Sequence, residues 1–317
     1  MKRAVSISIG SSKRDKVVDI NILGETVRLE RIGTNGDLKK AAQLYESLDG
    51  KVDALGVGGG VLGIMVGDHW YEMHSLKPLV QGVRHTPVVD GTGLKMTLER
   101  RAVHCIDREL GAYLPNRTAL VVSGVDRWGM AQGVLDLGYK VIFGDLPYSL
   151  GLPLPLYSEK SIKQFTALLA PIITRLPFEW VYPIGKAQEH RHPSHVQYFQ
   201  QAGMILGDCH YIWKYMPDRL DGKVIVTNTT TRDDVETFRK SGARFLVTTT
   251  PVYDGRSFGT NLLEAAIIAA AGRKDPVDYG NPNGYFHWMN EMIDTLKLAP
   301  QIQDLTRPET VRQEMGL

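Results

Sequence analysis

Lys95 and Asp90 flank the turn Asp90-Gly91-Thr92-Gly93. An ammonium beside a carboxylate can bind a substrate hydroxyl and exchange its proton, so the two form a candidate catalytic pair. The plain reading is that Asp90 and Thr92 cap the following helix, but a lysine in a first turn opposes the helix dipole and calls for a reason. A second group lies at Gly124, Asp126 and Gly129, which occupy the three glycine positions of the dinucleotide fingerprint G-x-G-x-x-G. The first and third fit, whereas Asp126 puts a carboxylate where a pyrophosphate must approach the backbone. Asp145 stands about twenty residues after Gly124, where an acid hydrogen-bonds an adenosine ribose. No arginine follows it, so NAD is expected over NADP. Two other readings stay open: turn glycines that serve backbone geometry alone, and a nucleoside ligand without pyrophosphate.

Further polar groups follow other apolar runs. Asn228 and Thr229 close Val224–Thr230, and Arg256 with Thr260 precedes the apolar stretch Leu262–Ala271, where free N–H groups and a guanidinium would hold an anion. His190, His192 and His195 have the spacing H-x-H-x-x-H around Pro193, which matches no standard zinc pattern, so no metal is expected. Cys209 as a nucleophile needs a base that the adjacent His210 is badly placed to supply. The segment Glu179–Glu189, rich in polar and aromatic residues, reads as a cleft wall.

The elements that position these groups read as α/β. Ala4–Ile9, Val52–Val57, Pro87–Val89, Thr118–Ser123, Lys140–Phe143, Met204–Leu206, Val224–Val226 and Phe245–Val247 are expected strands. Val17–Ile22 with Thr26–Ile32, and Ile64–Val66 with Trp70–His74, are expected hairpins. Helices are expected from Asp37 to Leu48, Lys95 to Leu110, Met130 to Leu137 and Leu262 to Ala271, the last apolar nearly all round and so buried on a sheet. Strand, glycine turn, helix and strand from Thr118 to Phe143 form one βαβ unit of a Rossmann-like doubly wound parallel sheet. The expected division is an N-terminal α/β substrate domain over 1–114, a nucleotide-binding domain over 115–275 and a helical tail over 276–317.

The chain has 317 residues, 43% of them hydrophobic and 23% charged, which is enough for two cores and excludes wholesale disorder. A net charge of +2 with both signs interspersed gives no field that implies nucleic acid. Two cysteines without CxxC spacing and the lack of a long apolar run imply a cytoplasmic location and no membrane partner. A small-molecule substrate is expected, and a homodimer is compatible with the sequence.

The turn Asp90–Lys95 into a bridging helix, the turn at Gly124 and Thr227-Asn228-Thr229-Thr230 resemble the shikimate/quinate dehydrogenase group and its relatives such as glutamyl-tRNA reductase. The resemblance implies a substrate domain followed by a nucleotide domain, with Asn228 and Thr229 beside a nicotinamide and Lys95 and Asp90 handling a proton. Asp126 and the missing lysine-bearing proline segment depart from that pattern. The expectation is therefore an NAD(P)-dependent oxidoreductase on a small hydroxylated or carboxylated metabolite. The rivals are a transferase or lyase using a nucleoside or phosphorylated ligand, and a non-catalytic ligand-binding protein.

Overall fold

The structure, a computed structural model, describes residues 1–177, 190–253 and 256–307. From the N-terminus come β1 (Lys2–Ser8), β2 (Lys16–Ile22), β3 (Glu25–Gly33), α1 (Leu38–Leu48), β4 (Ala54–Gly58), the hairpin β5 (Gly63–Val66) and β6 (His69–Glu72), α2 (Lys77–Val80) and β7 (Val88–Val89). There follow α3 (Thr92–Met96), α4 (Leu98–Leu110), β8 (Thr118–Val121), α5 (Trp128–Asp136), β9 (Lys140–Phe143), α6 (Glu159–Ile173), α7 (Val196–Gln201) and β10 (Met204–Leu206). The last elements used below are α8 (Cys209–Tyr215), β11 (Val224–Thr227), α9 (Arg232–Lys240), β12 (Phe245–Thr248), the short pair β13 (Val252–Tyr253) and β14 (Arg256–Ser257), α10 (Thr260–Ala271), α11 (Asn283–Thr295) and β15 (Gln301–Asp304).

These elements build two α/β domains. The first sheet has the order β2-β3-β1-β4-β7, parallel except for β2, and the second the order β15-β12-β11-β10-β8-β9, parallel except for β15. Both parallel cores therefore place the second parallel strand of the chain outside the first and the later strands on the other side. That order has a switch point between β1 and β4 in one domain and between β8 and β10 in the other, where crevices open at the carboxyl ends of strands.

Each sheet is buried on both faces, which is why its strands are nearly continuous apolar runs. Ala119 and Val121 of β8 join Trp128 and Val134 of α5 and Val103 and Ile106 of α4, while Leu120 and the following Val122 join Phe199, Ile212 and Phe238 of α7, α8 and α9. In the first domain Val5 and Ile7 meet Ala41 and Tyr45 of α1, and Ala4 turns to the opposite layer. The Tyr45 hydroxyl, buried in that layer, donates to the carbonyls of Ile7 or Gly56, which lie 3.0 and 3.1 Å away.

Two expectations are corrected. The helix over Leu262–Ala271 does form and is buried, but it packs on β1, β3 and β4 of the first sheet rather than on the sheet that precedes it. The chain thus returns to the first domain before α10, and the helical tail starts with α11 on the same layer, while β15 goes back to edge the second sheet. The expected single helix from Lys95 to Leu110 is broken at Thr97, whose backbone is at φ −106° and ψ −69°. The Thr97 hydroxyl donates to the Gly93 carbonyl at 2.6 Å, and such back-bonding bends a helix. The break lets α3 lie between the domains while α4 packs on α5. Among the described residues no helix is long and apolar enough to cross a membrane.

Candidate functional site

The loops after β4, β7 and β8 meet in a small cleft, open to solvent and lined by Gly63, Ile64, Met65, Thr92, Lys95, Met96, Val125, Asp126 and Trp128. It lies between the domains because α3 carries Lys95 across to the turn that follows β8. There the Lys95 ammonium donates to Asp126 at 2.8 Å.

Asp126 is one member of a chain of charges. Arg127, 5% exposed, donates through Nη1 to Glu99 at 2.7 Å and through Nη2 to Asp208 at 3.0 Å. Its Nε lies 3.1 Å from Asp126, close enough for an ion pair but too poorly aligned for a hydrogen bond. Asp208 also caps α8 by accepting from the His210 N–H at 3.0 Å. Burial alone would raise the Asp126 carboxyl, but the charges of Lys95 and Arg127 outweigh it and hold it at about 2. Arg127 is held protonated because three carboxylates outweigh its burial. Glu99, fully buried, goes the other way: burial exceeds the attraction of Arg127 and Lys95 and raises it, and its Oε2 has no hydrogen-bond partner. Two cations face three carboxylates, so the cluster is net acidic. Tyr211 extends it: burial raises its phenol, and Tyr215, Asp126 and Asp208 add to the shift.

The turn Gly124–Gly129 does not fit a dinucleotide. Asp145, 4% exposed, sends its own carboxylate into the turn and accepts from the Gly124 N–H at 3.0 Å and the Val125 N–H at 2.9 Å. The donors that would cradle a pyrophosphate are thus spent on an internal anion, and no carboxylate oxygen is aimed outward at a ribose. Burial lifts Asp145 to about 6 in spite of those two N–H groups. The glycines serve packing. A Cβ on Gly124 would lie 2.6 Å from Phe143 and 3.1 Å from Asp145, and one on Gly129 would lie 1.9 Å from the Lys95 carbonyl oxygen. The first turn of α5 is therefore covered by α3, where a cofactor phosphate would have to lie.

The pairing of Lys95 with Asp90 is corrected as well. Both Asp90 oxygens are engaged by backbone, Oδ2 by the Leu62 N–H at 2.6 Å and Oδ1 by the Thr92 N–H at 2.9 Å, and Lys95 is bound to Asp126 instead. Asn228 is buried after β11, where its carbonyl accepts from Thr250 at 2.7 Å and its side chain from Thr227 at 3.2 Å; Thr229 beside it is half-buried. Neither lines the cleft described above. Thr260 begins α10 against Gly91, where a Cβ would come within 2.5 Å of its hydroxyl, so it packs the crossover instead of standing in an open anion site. Arg256 lies on β14 and its side chain is outside the described residues, as is the segment Glu179–Glu189. His190 and His192 are exposed and His195 is half-buried. Among the described residues no three His, Cys, Asp or Glu converge as a metal site. Cys209 is buried, and burial raises its thiol well above the usual range, so it is a core residue rather than a nucleophile.

Sequence reasoning missed Arg127 and Glu99. Arg127 follows Asp126 directly, and a turn with adjacent opposite charges was the available signal. Glu99 gave none, because a first-turn glutamate is ordinary on any helix.

A family model described as Domain of unknown function (DUF8754) matches residues 93–305. The chain belongs to this family. A second model, Domain of unknown function (DUF8753), matches residues 3–90, so in this DUF8754 member the two matches meet at the turn before α3. No curated protein matches the chain. Among solved structures it is similar to one from Mycobacterium smegmatis at 13% identity and TM-score 0.35, covering 96% of this chain and 91% of that one. It is also similar to a galactofuranose binding protein at 12% identity and TM-score 0.33, over 93% and 98% of the two chains. A third is the periplasmic binding protein of the arabinose ABC transporter from Shewanella sp. ANA-3, bound to alpha- and beta-L-arabinofuranose, at 13% identity and TM-score 0.32, over 93% and 98%. The expected membership of the shikimate/quinate dehydrogenase group is corrected, and with it the NAD-dependent oxidoreductase: the matching families are of unknown function, and the turn expected to hold the cofactor is occupied from within. The physical reason is the Asp145 carboxylate in the turn.

Proposed function

We propose that this protein binds a small, neutral, hydroxyl-bearing molecule in the cleft between its two domains, without turning it over. The supporting observation is the net acidic chain Lys95–Asp126–Arg127–Asp208 with Glu99 behind it. Asp126 and Asp208 keep 28% and 25% of their side chains exposed. A carboxylate offers about four lone-pair sites, so Asp126, which lines the cleft, can accept further hydrogen bonds from a ligand while Lys95 holds it in place. Hydroxyl donors satisfy such groups, whereas a phosphate or carboxylate would be repelled.

Catalysis has less support. Lys95 is ion-paired, Asp90 is tied to backbone, and Cys209 is buried. No base–nucleophile pair joins them.

Calorimetric titration with neutral monosaccharides, in pyranose and furanose forms, tests the proposal. Saturable binding is expected, weakened about tenfold by Asp126→Asn, which removes one charge-assisted acceptor. Binding of NADH but of no neutral polyol, or consumption of the bound compound, sinks the proposal.

A further inference from the structure

The outer strands of the two main sheets, β2 and β7 in one and β15 and β9 in the other, are not finished alike. β9 is closed off at Phe143, which exchanges backbone hydrogen bonds with Leu156 at 2.8 and 3.4 Å. β7 has only two residues and β15 only four. β2 runs for seven residues, carries no proline and pairs with β3 without a bulge from Lys16 opposite Arg31 to Ile22 opposite Glu25. Proteins shorten, cover or break such an edge because its free N–H and C=O groups recruit another strand. An edge left long and regular calls for a partner.

The hairpin turn fixes which groups of β2 are free. Leu23 at φ +53° and Gly24 at φ +76° form the two-residue connection to β3, both left-handed as a type I′ turn requires. Ile22 and Glu25 are therefore a hydrogen-bonded pair, and such pairs alternate with non-bonded ones along the ladder. Ile20 and Val18 also bond to β3, so the N–H and C=O groups of Val17, Asp19 and Asn21 point away from it. Among the described residues no other backbone or side-chain group takes them up. The side chains of these three residues are exposed, Val17 at 53%, whereas Ile20 and Ile22 on the other face are buried in the core of the first domain.

We propose that β2 pairs antiparallel with β2 of a second copy of this chain, joining the two first sheets into one across a two-fold axis. Free groups must meet free groups, and each face must continue the same face, which leaves few registers. An axis at Asp19 sets two carboxylates side by side, and one at Val18 sets Lys16 against Ile20, so both are disfavoured. An axis at Ile20 sets Asp19 against Asn21 of the second copy, each such pair exchanging both backbone hydrogen bonds. Asn21 Oδ1 already accepts from Thr26 at 3.0 Å, which leaves its NH₂ to donate to the opposing Asp19 carboxylate. On the other face Ile20 meets Ile20, and the half-buried Val18 meets Ile22 of the copy. A contact of this kind uses the same edge on both chains, so assembly stops at two. It goes beyond the proposed function, since its residues lie outside the cleft.

Sedimentation velocity on the full chain, from about 1 to 100 μM, reads the association directly. A reversible dimer is expected. Asp19→Pro deletes an N–H that bonds only across the interface and leaves the β2–β3 ladder intact. Asn21→Asp sets a carboxylate against Asp19 of the second copy. Each is expected to weaken the dimer about tenfold or more. Adding Asp19→Lys to Asn21→Asp makes the opposing charges unlike and should restore the dimer, a rescue specific to this register. Asn21 is exposed, so the circular dichroism and unfolding midpoint of Asn21→Asp at a concentration where both proteins are monomeric should match the parent. Loss of dimer then reports on the edge and not on folding. A monomer at every concentration, a dimer that neither single substitution weakens, or a double variant no tighter than Asn21→Asp alone overturns the proposal.

Discussion

The two sheets share a strand order and carry opposite chemistry at their carboxyl ends. At the end of β1 the turn is Gly10-Ser11-Ser12, open and basic, with Arg14 unpaired. At the end of β8 the turn is Gly124-Val125-Asp126-Arg127, in which a carboxylate from the following strand fills the backbone donors and an arginine is locked among three acids. One strand order thus carries two kinds of turn, and the few residues after the first strand of each sheet decide which. The closed turn is held by charged side chains, while the other uses neutral ones: its Gly10 and Ser12 N–H groups donate to Ser8 Oγ and Asn35 Oδ1.

The comparison breaks first at Arg127. Arg127→Ala leaves Glu99 buried and uncompensated, so a loss of roughly 3–5 kcal/mol is expected in denaturant unfolding. A loss below about 1 kcal/mol would mean that the acidic end is solvated and not locked. Asp145 gives a smaller effect. Asp145→Asn turns one carboxylate oxygen into an NH₂ that faces the N–H of Gly124 or Val125, at an expected cost of about 1–3 kcal/mol. A gain in NADH affinity with unchanged stability would instead show that the turn is an anion receptor merely blocked by its acid.

The smallest change at neutral pH concerns the crossover that holds the two ends in place. Glu264 of α10 is fully buried, accepts from Tyr279 and Tyr285 at 2.7 Å each, and accepts from the Leu94 N–H of α3 at 3.0 Å. Burial raises it to about 7, well above the free-chain value of 4.5, in spite of the two tyrosines. The folded chain therefore keeps a proton that the unfolded chain releases. Its stability contribution is full below about 4.5 and is lost as pH rises through 7. Glu264→Gln should alter stability at pH 7 by only about 1 kcal/mol, yet flatten the fall in melting temperature between pH 5 and 8. Asp145 and Glu99, both raised by burial, leave a residual slope. An equally steep profile in the variant would place the proton elsewhere.

Local pattern determined much of this protein. Apolar runs buried on both faces gave the parallel strands of the second sheet, with Lys140–Phe143 and Met204–Leu206 found at the expected bounds. Asp37 caps α1 by accepting from the Lys40 N–H at 2.9 Å, as its position before the periodic segment implied. The partners across the chain were beyond that reach. An all-apolar helix such as α10 suits either sheet, and nothing in its own residues selects the first. Asp145 was correctly placed at a strand end near the glycine turn, but its direction is a tertiary fact: buried beside two unpaired N–H groups, a carboxylate satisfies them itself rather than await a ligand. Lys95 likewise found Asp126 instead of Asp90, because Asp90 had already been taken by backbone donors of its own turn and of Leu62. Sequence supplies the charges, and only packing decides which remain available.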